Sequence, residues 1–220
     1  RDDADVLVAV FGDSTDMTCY LPTEHRLTRR LELLLRDAFP DHRLDVHGLA
    51  EGGDYLQRLI ESGRLDRELR TLPRCDVAMI RYGLNDINKT DPQAFGIQLH
   101  AACDIILKRH PNAKIVLSTT IPPNSQPFDQ QTLAVAKARN LKVIRVDELM
   151  LQRSAAGDWD WHHEPRRRIG RRRSQNPPDN PTGLKGDLHP NAYGSQMIAE
   201  YYFEQLEPIV AGLLERRPSV

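Results

Sequence analysis

Four short clusters in this sequence carry side chains able to do chemistry together: Gly12-Asp13-Ser14, Gly52-Gly53, Gly83-Leu84-Asn85-Asp86 and Asp187-Leu188-His189-Pro190-Asn191. A serine hydroxyl is a poor nucleophile until a neighbouring base takes its proton, and His189 is the natural candidate. A carboxylate beside that histidine would fix its tautomer and stabilise the imidazolium, and Asp187 stands two residues before it. A tetrahedral intermediate also needs donors for its oxyanion, which the N–H of Ser14, the N–H of Gly53 and the amide of Asn85 would supply. The chemistry these types permit is acyl transfer. Each cluster alone has a plainer explanation: Asp and Ser suit turns, paired glycines suit a tight bend, Asn-Asp suits a cap, and Pro190 suits the start of a helix. Four plain readings at once, in this order, are much less probable than one site.

The clusters need a scaffold that brings them together. Short β-branched or apolar runs at Val6–Phe11, Arg43–His47, Val77–Tyr82, Lys114–Thr119 and Lys142–Val146 read as strands buried on both faces of a parallel sheet. Helical patterns lie between them. Leu27, Leu31, Leu34, Leu35 and Ala38 form one apolar stripe, started near Pro22-Thr23 and stopped by Pro40. Similar helices fit Tyr55–Leu72, Pro92–Arg109, Asp129–Asn140 and Asn191–Arg216. Strand alternating with helix, joined by right-handed crossovers, predicts a three-layer α/β/α sandwich with a five-stranded parallel, flavodoxin-like sheet. Ligands of such sheets bind beyond the carboxyl ends of the strands, and the four clusters follow the first, second, third and fifth strands. They are therefore expected on one edge.

These blocks resemble those of the SGNH (GDSL-type) hydrolases, serine esterases and lipases built on a flavodoxin-like sheet. The resemblance runs from Val6 to about Ile198. It implies that Ser14 is the nucleophile, that Gly53 and Asn85 complete the oxyanion hole with the Ser14 N–H, and that His189 is the base. The family's aspartate usually precedes the histidine by three residues, where this chain has Gly186; Asp187, two before, is the acid expected here, with a carboxylate of the insertion or a Ser-His dyad as the alternatives. After the serine the chain carries Asp16, Cys19 and Tyr20, where many members have small or flexible residues, and Cys19 is expected to be a packing residue. The Gly-x-Ser-x-Gly elbow of α/β-hydrolases is missing.

Length and composition are those of one domain over residues 1–220, with one irregular insertion at about 152–186. That insertion holds four prolines, Trp159 and Trp161, and eight Lys/Arg against four Asp/Glu. Because it leads into His189, it is expected to hang over the active edge, with Arg166 and Arg167 recruiting an anionic ester and Trp159 stacking on a sugar; Asp13 is a further substrate-binding candidate. A net charge of −1 argues against nucleic acid, and no apolar run approaches a membrane span. His162, His163 and Glu164 are adjacent rather than on one face, so no metal is expected, and no cofactor motif occurs. The three scattered cysteines make no disulfide framework, and Cys75 and Cys103 read as buried packing. If residue 1 is a mature start, the expected location is periplasmic or secreted, and otherwise cytoplasmic.

The expected activity is that of a serine esterase hydrolysing short-chain esters, acetyl first, of carbohydrates through a Ser-His(-Asp) acyl-enzyme, the substrate being a small-molecule or polysaccharide ester. The rival readings are a lysophospholipase or acyl-thioesterase, a catalytically weak carbohydrate-binding member, and a flavodoxin-like cofactor domain.

Overall fold

The computed structural model describes residues 4–121, 125–156 and 189–216. Five strands, β1 (Val6–Gly12), β2 (Leu44–Gly48), β3 (Val77–Arg81), β4 (Lys114–Ser118) and β5 (Lys142–Ile144), form one parallel sheet in the order β2-β1-β3-β4-β5. That is the flavodoxin-like order. Successive side chains on a strand point to opposite faces, and β1 shows it cleanly: Leu7, Ala9 and Phe11 enter one core, Val6, Val8 and Val10 the other. Burial on both faces is why the strands read as unbroken apolar runs.

The first core is closed by α3 (Leu56–Glu61), α4 (Arg64–Thr71), α5 (Pro92–Arg109) and α6 (Gln126–Arg139). The second is closed by α2 (Leu27–Ala38), α7 (Val146–Ala155) and α8 (Ala192–Leu214). Each fully buried leucine contributes roughly 2 kcal/mol relative to exposure. On α2 the predicted stripe narrows to Leu27, Leu31 and Leu35, while Ala38 is exposed. Arg26 offers α2 no side-chain cap; instead Thr18 Oγ1 accepts the Leu27 N–H at 3.0 Å.

Three elements differ from the sequence reading. The single helix expected over Tyr55–Leu72 is two, because Gly63 takes a φ of +69° that an α-helix cannot contain. The fifth strand stops at Ile144, and Val146 already opens α7, which extends into the segment read as irregular. A four-residue helix, α1 (Ser14–Met17), was not anticipated. Among the described residues no helix is long and apolar enough to cross a membrane.

Candidate active site

The Gly12-Asp13-Ser14 cluster sits where β1 turns into α1. Asp13 caps that helix: its Oδ1 accepts the Thr15 N–H and the Thr15 hydroxyl, both at 2.8 Å. Ser14 is thereby the first helical residue and is half-buried at the sheet edge. Its Oγ lies 2.8 Å from His189 Nε2. For the hydroxyl to donate, Nε2 must be the unprotonated ring nitrogen and Nδ1 must carry the proton, and a serine so placed can pass its proton to the imidazole.

His189 is held by its neighbours. The Tyr20 ring meets the imidazole edge-on, centroids 5.5 Å apart at 89°, and the Tyr20 hydroxyl donates to the Pro190 carbonyl at 2.7 Å. Behind it, Asn191 caps α8 by accepting the Gly194 N–H, and Ser195 Oγ donates to the His25 carbonyl at 2.7 Å. The last helix and the segment after α1 are thus stitched together just beyond the histidine.

The candidate oxyanion donors lie on the next two loops. The Leu49 and Glu51 N–H groups donate to the carbonyls of Val10 and Gly12, which draws the β2 loop alongside the β1 turn. Gly53 follows with a φ of +71°, a conformation that favours glycine, and no atom lies within 4 Å of where its Cβ would be. Neither the Ser14 nor the Gly53 N–H makes a hydrogen bond to the described residues. Asn85 Nδ2 donates to the Asp54 carbonyl at 2.9 Å, which fixes the amide plane and leaves its second N–H for another acceptor. Asp86 braces both loops, accepting the Leu56 N–H at 2.9 Å and the Gly83 N–H at 3.0 Å.

The sequence reading missed the support beneath these donors. Asp54 is fully buried, and its carboxylate is paired with Arg64 and accepts the Tyr82 hydroxyl at 2.9 Å; Arg64 Nη1 reaches back to the Leu49 carbonyl. The signal was an aspartate directly after the glycine pair. Cys19 is exposed rather than packed, while Cys75 and Cys103 are buried as expected. Asp187, Arg166, Arg167, Trp159 and the His162–Glu164 cluster lie outside the described residues. Among the described residues no group of three or more His, Cys, Asp or Glu is gathered as for a metal ion.

Three buried carboxyls, Asp16, Asp86 and Asp129, set a pH dependence of stability, burial raising Asp16 to about 6 against the pull of Arg81. Burial raises Asp86 to about 6 although backbone N–H groups pull the other way, and burial raises Asp129 to about 6 against its bonds from Ser125 and Thr120. Such a group binds its proton more tightly folded than unfolded. Its stabilising contribution is complete below the ordinary 3.8 and is lost as pH rises through about 6. The melting temperature is therefore expected to fall between about pH 4.5 and about pH 7, and less steeply in Asp129→Asn. Calorimetry showing the wild-type melting temperature rising over that interval would contradict this.

A serine hydrogen-bonded to a histidine, with backbone and amide donors on adjoining loops of a flavodoxin-like sheet, is an arrangement chemically able to carry out acyl transfer. The GDSL-like lipase/acylhydrolase family profile matches residues 10–197, and the chain belongs to that family. By that membership it is a carboxylic ester hydrolase. No curated protein matches the sequence. Similar solved structures include a lipolytic G-D-S-L family protein from Veillonella parvula, 15% identical, with 90% of this chain and 97% of that one covered and a TM-score of 0.66. The psychrotrophic esterase EstA from Pseudoalteromonas is 16% identical, covering 93% and 98%, with a TM-score of 0.68. An acetyl xylan esterase, AlAXEase, is 18% identical, covering 90% and 98%, with a TM-score of 0.64. At these identities the likeness carries the fold.

Proposed function

We propose that this protein is a serine esterase that removes short acyl groups, acetyl first among them, from the hydroxyls of carbohydrates. The observation that carries the mechanism is the 2.8 Å contact between Ser14 Oγ and His189 Nε2. Ser14 Oγ attacks the ester carbonyl carbon while its proton passes to His189. The carbonyl oxygen gains the negative charge and is held by the N–H groups of Ser14 and Gly53 and the Asn85 amide. Collapse breaks the bond to the alcohol, which leaves with the proton from His189, and the acyl group stays on Ser14. Water, activated by the same histidine, then releases the acid. Asp187 is the carboxylate assigned to Nδ1, and Asp13 is given to the cap rather than to substrate.

The acetyl assignment is supported by the absence of any long apolar segment in the sequence and by the fold shared with an acetyl xylan esterase. The arginines and Trp159 of the insertion would favour an anionic glycan ester. The test is turnover of p-nitrophenyl acetate, butyrate and octanoate alongside acetate release from acetylated xylan. Acetate is expected to exceed octanoate in kcat/KM by about tenfold or more, each extra methylene being worth up to about 3 kcal/mol in a closed pocket. Rates that climb with chain length would favour the lysophospholipase or thioesterase reading instead.

A further inference from the structure

We propose that Arg81 and Asp16 form a positioning pair that sets the Ser14 turn against the His189 helix, an inference that rests on the serine esterase reading above. Arg81 ends a strand that is otherwise apolar, and it is 1% exposed. A guanidinium in that place is costly to bury and must be compensated. Its Nε donates to Asp16 Oδ2 at 2.8 Å, and its Nη2 donates to Thr15 Oγ1 at 2.7 Å. Thr15 Oγ1 in turn donates to Asp13 Oδ1. One cation therefore fixes the residues on both sides of Ser14 without touching Ser14 itself.

The room for this pair is written into the backbone. Gly12 stands directly beside Arg81 in the β1–β3 register. A Cβ on Gly12 would lie 2.1 Å from Asp16 Oδ2, so the carboxylate occupies the space that only glycine leaves. From the opposite side, Tyr202 of α8 donates its hydroxyl to Asp16 Oδ1 at 3.2 Å, and the guanidinium lies 5.8 Å from the centre of its ring. Helix α8 begins three residues after His189, and Arg81 is four residues before Asn85. The pair thus connects the nucleophile turn, the strand that delivers the amide donor and the helix that follows the base. A small displacement between nucleophile and base lowers reactivity steeply, by about 10²-fold per ångström.

The readout is the rate at which a small alkyl fluorophosphonate modifies Ser14 in the whole chain, expressed per folded molecule. In that reaction the Ser14 Oγ–P bond forms, the P–F bond breaks, fluoride leaves and the hydroxyl proton passes to His189. Asp16→Asn and Arg81→Gln are each expected to react about 10- to 100-fold more slowly than wild type. The double variant, which removes both charges of the pair and leaves Asp13 held by the Thr15 N–H and hydroxyl, is expected to recover part of the melting temperature but not the rate. Tyr202→Phe keeps the core filled and deletes one hydroxyl, and it is expected to fold and to react about fivefold more slowly. Should the charge variants not fold, Tyr202→Phe decides. Folded variants that lose stability yet react at the wild-type rate would overturn the proposal and leave the pair a structural support. A wild-type protein that is not modified at Ser14 would instead overturn the serine reading itself.

Discussion

Replacement of Ser14 by alanine is expected to lower ester turnover by roughly three to six orders of magnitude while the fold is kept. The hydroxyl is half-buried at the sheet edge and lies 2.8 Å from His189 Nε2. His189→Ala is expected to cost a similar factor, because an unactivated hydroxyl at neutral pH is almost wholly protonated. The double replacement should be scarcely worse than either single one. Groups that act as a unit are strongly non-additive, since removing one already idles the other. Steady-state turnover of p-nitrophenyl acetate by the three variants checks this. Independent, multiplying losses would mean that the two residues do not work as a pair.

Asn85→Ala carries the second largest effect. The oxyanion forms only as the carbonyl carbon becomes tetrahedral, so a donor aimed at it acts on the transition state more than on bound ester. A drop in kcat of about 10²- to 10³-fold is expected, with KM within about threefold of wild type. Asn85 also ties its loop to the Asp54 carbonyl, so the melting temperature must be read beside the kinetics. A rise in KM with kcat unchanged would place Asn85 in substrate binding and return the oxyanion to Ser14 and Gly53 alone.

Much of this architecture was legible in the sequence, and the reasons are physical. Strands buried on both faces are short, nearly unbroken apolar runs, so Val6–Phe11 and Val77–Tyr82 could be read directly, each within one residue of the strands Val6–Gly12 and Val77–Arg81. The rule that sites lie beyond the carboxyl ends of such strands then gathered Ser14, Gly53, Asn85 and His189 onto one edge. The structure brings Ser14 and His189 into contact across 175 residues of chain and joins the Asn85 loop to the Gly53 loop. What stayed hidden depends on pairs distant in sequence. Nothing in the run VAMIRYG announces that Arg81 meets Asp16 and Tyr202, although a lone charge in an apolar strand is itself a sign of a buried partner. The helix break at Gly63 was masked by apolar positions on both sides that keep helical spacing. Tyr20, noted only as unusual, turns out to rest on the imidazole.

The most direct measurement is peptide mapping by mass spectrometry after reaction of the whole protein with a small fluorophosphonate. The expected result is one adduct, on Ser14, absent from Ser14→Ala and formed far more slowly in His189→Ala. A folded wild-type protein that takes no adduct, or takes it on another residue, would contradict the assignment of Ser14 as the nucleophile.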